Sequence, residues 1–303
     1  MFLGIDIGGT NTKFGVLDEN YNILKKDSIP TGAKRSADEV LGDIIKKAAE
    51  LCGEYDIEAI GMGCAGRVDQ TRGVLERASN LPFMETPIAS IVENALGKHT
   101  TLANDARCAV CGELYAGAGK DHNNFVMMTL GTGVGGGIVI NKRMYFGKYG
   151  GAGEIGHITI DQNGIPCRCG QTGCLEHYAS VTALIRQTTE AIEAHPDSLI
   201  AKYAESGVNG RTAFDAMKAG CPIAARVVDR YIGYIALGAT NVIRMLQPDA
   251  IIIGGAISNE GDALLAPLRE KVRQRCELLT SSLRNDAGIV GAVAMLRNEL
   301  SEA

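Results

Sequence analysis

One pattern occurs twice in this chain and constrains its fold more than any other feature. Residues 5–18 are I-D-I-G-G-T-N-T-K-F-G-V-L-D, and residues 128–141 are M-T-L-G-T-G-V-G-G-G-I-V-I-N. Short β-rich runs on both sides of a Gly/Thr turn predict a β-hairpin. Two such segments, here called the first hairpin and the second hairpin, indicate an internal duplication that gives two domains of like topology.

The elements around the hairpins predict an α/β fold. Ser36, followed three residues later by Glu39 and by apolar positions at helical spacing, predicts a capped helix over residues 36–52. The pattern predicts further strands near residues 22–29, 57–62, 125–130 and 250–253, and helices starting near 106 and covering 224–245, 263–276 and 291–300. We expect a small domain of residues 1–120 plus 290–303, and a large domain of residues 121–289.

Composition excludes several classes of function. The chain has 303 residues, a net charge of −5 and no long basic stretch, which disfavours binding to nucleic acid or to an anionic membrane. No apolar run approaches the ~18 residues of a membrane span, and the N-terminus lacks the features of a signal peptide. Nine cysteines, an odd number, with no export signal favour a cytoplasmic protein whose cysteines are free or bound to metal.

The first hairpin has the chemistry of a phosphate-binding turn. Glycines after a strand let backbone N–H groups approach phosphate oxygens, while threonine hydroxyls and a lysine add donors and charge. A carboxylate at the strand end could hold Mg²⁺, directly or through water. The alternative is a plain hairpin turn that needs positive φ. The predicted nucleotide contacts are Asp6, Gly8, Gly9, Thr10, Thr12 and Lys13.

The second hairpin offers an equivalent turn at Gly131, Thr132 and Gly133. Two glycine hairpins that face one cleft could hold the polyphosphate of Mg·ATP from both sides. Gly254 and Gly255 follow another apolar strand and supply a third point of close backbone approach, suited to adenosine.

The segment T-L-A-N-D-A (101–106) places Asn104 and Asp105 between an apolar run and a helix. Asp105 there could be a helix N-cap. It could equally be a general base that takes a proton from a substrate hydroxyl as that oxygen attacks phosphorus, with Asn104 holding the substrate.

Two further segments combine carboxylates, histidine and cysteines. Glu154 and His157 in G-G-A-G-E-I-G-H, with Glu176 further on, suit a polyol because carboxylates accept hydrogen bonds from hydroxyls, although each could also be a surface charge. His157 precedes C-R-C-G-Q-T-G-C. The four ligand candidates are His157, Cys167, Cys169 and Cys174. A Cys₃His set leaves no open position on tetrahedral Zn²⁺, so we expect a structural metal site.

Taken together and in this order, D-I-G-G-T-x-x-K, L-x-N-D-A, G-T-G-V-G-G-G, G-E-x-G-H, C-x-C-G-x-x-G-C-x-E and a late G-G resemble the ROK family of sugar kinases and sugar-responsive repressors. The resemblance covers nearly the whole chain. It implies the two-domain actin-like, ribonuclease H-like ATPase fold with a duplicated core and an interdomain cleft. It also implies that Asp105 is the base and that the sugar ligands are Gly66, Asn80, Asn104, Glu154, His157 and Glu176.

The resemblance is to the glucokinase and N-acetylhexosamine kinase branch, and it implies a homodimer. We therefore expect an ATP-dependent hexose kinase with glucose as the first candidate acceptor. N-acetylmannosamine, N-acetylglucosamine and β-glucosides are alternatives, because Ala65 and Phe83 stand where glucokinase-like members usually have proline and tryptophan. A repressor of the same family is less expected. Those members carry a winged helix-turn-helix ahead of D-I-G-G-T, and in this sequence D-I-G-G-T begins at residue 6. A zinc-dependent binding module and a protein-binding ATPase are the remaining alternatives.

Overall fold

The computed structural model describes residues 1–78 and 80–302. The chain divides into two compact units. The N-terminal unit comprises Met1–Lys120 together with Asn285–Ala303, and the central unit comprises Asp121–Arg284. Each unit has its own hydrophobic core around a five-stranded sheet.

Over the described residues, the N-terminal unit combines a five-stranded sheet, a small sheet and four helices. The strands are β1 Phe2–Ile7, β2 Asn11–Leu17, β3 Ile23–Pro30, β4 Ala59–Cys64, β5 Arg67–Asp69, β6 Val74–Arg77, β7 Met84–Thr86 and β8 His99–Asn104. The helices are α1 Ala37–Glu54, α2 Ile88–Leu96, α3 Asp105–Ala116 and, from the end of the chain, α10 Ala287–Glu302.

The main sheet of this unit has the strand order β3-β2-β1-β4-β8, and the small sheet has the order β5-β6-β7. Strands β1, β2 and β3 are antiparallel neighbours. Strand β4 pairs parallel with β1, and β8 pairs parallel with β4. The carboxyl ends of β1, β4 and β8 therefore lie at one edge of the sheet.

Helix α1 shows how local sequence sets an element of this unit. The Ser36 hydroxyl accepts from the Glu39 N–H at 3.4 Å, and the Glu39 carboxylate accepts from the Ser36 N–H at 3.0 Å. This reciprocal capping box, predicted from the spacing, satisfies two donors that a helix start leaves unpaired. The apolar face of the helix packs into the core through Val40, Leu41, Ile44, Ala48 and Leu51.

The central unit repeats this arrangement. Its strands are β9 Phe125–Leu130, β10 Val134–Ile140, β11 Arg143–Tyr145, β12 Ala250–Gly254 and β13 Glu277–Thr280, in the order β11-β10-β9-β12-β13. Here too the first three strands form an antiparallel set, and the next two add in parallel beside the first. The two sheets share one topology, as the repeated hairpin predicts. The helices are α4 Glu176–Ala179, α5 Val181–Ala194, α6 Leu199–Lys202, α7 Thr212–Lys218, α8 Pro222–Leu246 and α9 Asp262–Lys271.

The observed ends of two helices differ from the expected ones. The helix expected over residues 263–276 ends at Lys271, because the chain then extends into β13, which pairs with β12. The last helix begins at Ala287 rather than at residue 291. Both boundaries depend on packing partners that are distant in sequence. In the part of the chain that the structure describes, no helix combines the length and apolarity that crossing a membrane requires.

Candidate active site

Asp105 lies at the junction of β8 and α3. The residue that caps α3 is Asn104, whose side-chain oxygen accepts from the Arg107 N–H at 3.2 Å. Asp105 is the first residue inside the helix, so the N-cap alternative for this carboxylate is wrong. Its neighbour caps the helix instead.

The Asn104 amide also fixes the Asp105 side chain. Its nitrogen donates to Asp105 Oδ1 at 3.0 Å and to the Gly66 carbonyl at 2.9 Å. Both amide hydrogens therefore bond to protein atoms, and they connect the end of β8 to the loop before β5. A carboxylate held in this way has one defined orientation.

Burial raises the pKa of the Asp105 carboxyl above its ordinary value, because the charged form loses hydration. The backbone N–H of Ala106 opposes this rise and the negative charge of Asp6 adds to it. A buried carboxylate with a raised pKa is a stronger base than an exposed one, which is what proton abstraction from a hydroxyl requires.

Within the first hairpin, Asp6 and Lys13 are direct cross-strand partners. Lys13 Nζ lies 3.3 Å from Asp6 Oδ2 and donates to the Asn285 carbonyl at 3.3 Å. Burial raises the pKa of Asp6, and the Lys13 charge acts against that rise. The lysine charge is thus shared with a carboxylate, a contact that the motif alone does not reveal.

The tip of the first hairpin exposes Gly9 and Thr10 to solvent. Asn80 lies beside this tip, since a methyl group at Gly9 would stand 3.6 Å from Asn80 Cβ. The neighbouring Ser79 lies outside the described residues. Thr12 differs from the expectation of a phosphate donor: it is fully buried, and its hydroxyl lies 3.0 Å from the Thr31 hydroxyl.

The turn of the second hairpin closes through the Gly131 N–H, which donates to the Gly133 carbonyl at 3.0 Å. Thr132 at its tip is exposed. The Glu176 carboxylate accepts from the Val134 N–H at 2.9 Å, and the Thr182 hydroxyl donates to the Thr132 carbonyl at 2.7 Å. No motif in the sequence singles out Thr182, because only the fold brings it to this turn.

The segment that carries Glu154 and His157 packs directly on β10. A methyl group at Gly156 would stand 2.1 Å from the Val134 carbonyl oxygen, so only glycine permits this approach. The close approach places His157 next to the turn, while Glu154 remains exposed. The motif G-E-x-G-H therefore needs its second glycine for packing.

The structure brings the four candidate metal ligands together. One ligand atom from each of His157, Cys167, Cys169 and Cys174 lies within 4.8 Å of all the others. His157 Nδ1 is 3.6 Å from Cys167 Sγ, and Cys169 Sγ is 3.5 Å from Cys174 Sγ. A tetrahedral Zn²⁺ with bonds of ~2.3 Å to sulfur and ~2.0 Å to nitrogen would place ligand atoms ~3.5–3.8 Å apart. The donor set and its spacing fit that ion.

The sharp turn inside the cysteine loop (residues 157–174) depends on Gly173. Its φ is +69°, and a methyl group there would stand 1.6 Å from the Asp161 carbonyl oxygen. Its N–H donates to the Ile165 carbonyl at 2.8 Å, which returns Cys174 to the other ligands. Gly173 is buried where the loop folds on itself.

A cavity of about 280 Å³ in the central unit joins these parts. Thr132 of the second hairpin lines it together with His157 and Cys167 of the cysteine loop and with Glu176 and Thr182. The cavity therefore brings together the turn of the second hairpin, the Glu176 carboxylate and two candidate metal ligands, of which His157 is also a candidate sugar ligand.

Gly254 ends β12, Gly255 follows it, and Gly255 lies beside the second hairpin. Gly255 has a φ of +83°, and a methyl group there would stand 2.3 Å from the Leu130 carbonyl oxygen, at the start of the turn. The glycine pair thus meets the second hairpin through backbone contact.

Comparisons with known proteins place these features in a family. The model of the ROK family matches residues 2–299. A glucokinase from Thermotoga maritima is 34% identical over 98% of this chain and 98% of its own length. The crystal structure of a ROK family glucokinase from Streptomyces griseus in complex with glucose and AMPPNP is 32% identical, covers 98% of this chain and 99% of that chain, and has a TM-score of 0.85. A putative xylose repressor from Caldicellulosiruptor sp. is 31% identical over 99% of this chain and 79% of its own length.

The duplicated sheets and this structural neighbour define a two-domain α/β protein with the actin-like ATPase fold of the ROK kinases. The chain belongs to the ROK family. The fold class and the family predicted from the motifs are confirmed.

Proposed function

We propose that this protein is an ATP-dependent hexose kinase that phosphorylates a sugar hydroxyl, with glucose to glucose 6-phosphate as the first candidate reaction. The observation that carries the proposal is Asp105, a partly buried carboxylate with a raised pKa that Asn104 holds in one orientation. The glucokinase relatives support the enzyme class, an ATP-dependent sugar kinase. The sugar itself belongs to the proposal.

In the proposed reaction, Asp105 accepts the proton of the sugar hydroxyl as the hydroxyl oxygen attacks the γ-phosphorus of ATP. The new oxygen–phosphorus bond forms, the bond from the γ-phosphorus to the bridging oxygen breaks, and ADP leaves. The proton remains on Asp105 until water removes it. Asp105 acts as a base only when ionised, and its ionised fraction depends on the burial described above.

Nucleotide binding is assigned to both hairpins and to the glycine pair. Backbone N–H groups and hydroxyls at a turn can donate to phosphate oxygens, which suits Gly9 and Thr10 in the first hairpin and Thr132 and Gly133 in the second. The N–H groups of Gly8 and Gly131 donate within their own turns, so these two glycines would contribute close backbone approach. Gly254 and Gly255 would lie against the adenosine. Mg²⁺ neutralises phosphate charge when it is bound, and it prefers hard oxygen donors. The carboxylate of Asp6, which pairs with Lys13, is such a donor.

The sugar ligands in the proposal are the six residues that the family resemblance implies. Gly66, Asn80 and Asn104 belong to the N-terminal unit, whereas Glu154, His157 and Glu176 belong to the central unit. Carboxylates and amides in such a site discriminate between sugars, because an analogue that lacks one hydroxyl leaves a polar group unpaired.

The cysteine loop is proposed to hold a structural Zn²⁺. Because His157 Nδ1 faces the cysteine sulfurs, a metal there would fix the ring and leave Nε2 to bind a sugar hydroxyl. The family resemblance adds a cytoplasmic homodimer to the proposal.

A coupled assay of ADP release over about a dozen sugars tests the proposed function. We expect one hexose to stimulate ADP release far above the rate without sugar, and phosphorus NMR of the product to show a sugar monophosphate. The panel contains glucose, mannose, N-acetylmannosamine, N-acetylglucosamine and a β-glucoside, so the acceptors considered above are compared under the same conditions. No sugar-stimulated ADP release from any member would overturn the proposal.

A further inference from the structure

Three hydrogen bonds connect the turn of the second hairpin to the segment that follows the cysteines. The Val181 N–H donates to the Gly131 carbonyl at 2.8 Å, and the Thr182 hydroxyl donates to the Thr132 carbonyl at 2.7 Å. The Val134 N–H donates to Glu176 Oε2 at 2.9 Å. The three partners of the turn lie within residues 176–182, here called the support segment.

These bonds set the directions in which the turn can bind a ligand. Each one fixes the orientation of a peptide plane in residues 131–134, and none of the three uses the N–H of Thr132 or Gly133. Preorganised N–H groups bind anions more tightly than mobile ones, because no ordering cost remains at binding. The support segment therefore determines how far the N–H groups of the turn are preorganised for binding phosphate.

The contact with Glu176 is the one among the three whose acceptor is a carboxylate. A methyl group at Gly133 would stand 2.2 Å from Glu176 Oε2, so the carboxylate occupies the space that a side chain at this position would need. A hydrogen bond from an N–H group to a carboxylate is charge-assisted and stronger than a neutral one. Glu176 thus holds the turn by both packing and charge.

Glu176 also stands two residues after Cys174, which is buried in the candidate metal cluster. The Leu175 N–H between them donates to the Ile158 carbonyl at 2.9 Å, next to His157. The cysteine loop, Glu176 and the turn form one continuous chain of short contacts.

We propose that Glu176 and Thr182 are positioning residues for the phosphoryl donor, acting through the turn of the second hairpin. This inference rests on the proposed function, in which that turn binds the phosphates of ATP. It gives Glu176 a second role, in which one carboxylate oxygen holds the donor turn while the other remains for the sugar. It also gives a role to Thr182, which no motif singled out.

Thr182 allows a clean test, because its side chain is exposed at the surface of the unit. Thr182→Val removes the hydroxyl and keeps the shape of the side chain, whereas Thr182→Ser keeps the hydroxyl. Thr189→Val is the matched control, since the Thr189 hydroxyl donates to the Ile185 carbonyl within the same helix. Calorimetry measures the Kd for Mg·AMPPNP without sugar, with thermal unfolding as a check on folding.

We expect Thr182→Val to weaken nucleotide binding about 3- to 10-fold, the effect of losing one neutral hydrogen bond. Thr182→Ser should lie within about 2-fold of the wild type, since its bond is retained. Thr189→Val should bind like the wild type. A loss in Thr182→Val that Thr189→Val shares would contradict the inference, because it would reflect the helix rather than the bond.

Glu176 provides a second and larger effect. Glu176→Gln keeps an oxygen that can accept from the Val134 N–H, and Glu176→Ala removes it. We expect Glu176→Ala to weaken nucleotide binding by about 10-fold or more, as for a hydrogen bond to a charged group, with a smaller loss in Glu176→Gln. Because sugar is absent from the measurement, a role limited to sugar binding would leave the Kd unchanged.

The outcomes separate this inference from the proposed function. If the wild-type protein does not bind Mg·AMPPNP, the proposed function fails and the inference fails with it. If the wild type binds the nucleotide and both Thr182→Val and Glu176→Ala bind it equally well while folded, the inference alone is overturned.

Discussion

In the first hairpin, Asp6 and Lys13 are cross-strand partners one position away from the turn; in the second hairpin, Thr129 and Gly135 occupy the equivalent places. The two sheets have one topology, so the scaffold is the same in both units. The charged pair is present in one copy only. The two copies therefore share one backbone arrangement but differ in whether a charged pair lies next to the turn.

The supports of the two turns differ as well. The first turn is held from the end of β3, where the Thr31 hydroxyl donates to the Gly8 carbonyl at 2.6 Å and contacts Thr12. The second turn is held from the support segment, next to the cysteine loop. An equal sequence pattern thus does not imply equal partners, because the partners come from parts of the chain that the repeat does not include.

The largest expected effect is on kcat, through Asp105 of the N-terminal unit. Asp105→Asn keeps the shape of the side chain but removes the base, and we expect kcat to fall by a factor of about 10²–10⁴. Steady-state kinetics with the best sugar measures it. Asp38→Asn, an equal change of charge at an exposed position of α1, is the control and should leave kcat unchanged. Near-normal kcat in Asp105→Asn would refute the assigned base.

The pH dependence of the same residue follows from its burial. A carboxyl whose pKa is higher in the folded protein than in the unfolded chain adds stability only below the unfolded value of about 3.8, and that stability is lost as the pH rises through the folded pKa. Asp105→Asn should therefore raise the melting temperature at neutral pH, with a gain that shrinks as the pH falls. For the wild type, kcat/KM should fall on the acid side at a pH above 3.8. A lower melting temperature for the variant at pH 7 would contradict this sign.

Loss of the proposed Zn²⁺ should affect the central unit and its hairpin. Cys169→Ser, or treatment with a chelator, is expected to cost several kcal/mol of stability, because a structural zinc site contributes to folding directly. We also expect a raised KM for the sugar, since His157 loses its orientation. Urea unfolding, metal analysis and kinetics measure these effects. Cys276→Ser, a cysteine outside the cluster in the same unit, is the control, and unchanged stability in metal-free protein would count against a zinc site.

The packing of the second hairpin can be tested through Gly156. Gly156→Ala places a methyl group against the Val134 carbonyl, and overpacking of this kind costs about 1–3 kcal/mol. Chemical unfolding gives the loss. Gly42→Ala in α1 has no atom within 4 Å of its added methyl and should stabilise the helix slightly. If both variants unfolded at the same denaturant concentration, the packing interpretation would fail.

The smallest effect concerns Thr12 in the first turn. Thr12→Val removes its hydrogen bond with Thr31, and we expect a loss of about 1 kcal/mol in stability with little change in the KM for ATP. Thr10→Val at the exposed tip should raise the KM for ATP with little change in stability. A raised KM for ATP with unchanged stability in Thr12→Val would restore Thr12 to the phosphate contacts.

Features that depend on short-range interactions could be predicted from the amino-acid sequence alone. Glycine turns between apolar runs, the Ser36–Glu39 spacing and the Cys₃His set are local patterns with local physics, so they predict both hairpins, the capped helix α1 and the clustered metal ligands. The motif order was sufficient for the family and for the fold class. The sequence also nominates Asp105 as a candidate base, while the same pattern equally predicts an N-cap there.

Tertiary packing set which atoms those features contact. Thr12 meets Thr31 and Lys13 meets Asp6 because strand register sets which side chains face each other, and Thr182 reaches Thr132 only when α5 packs beside the second hairpin. Hydrogen bonds between residues 50 positions apart form only after the core has brought their backbones together. Residue type and spacing therefore nominate the candidate residues of the site, while packing assigns each of them its partners.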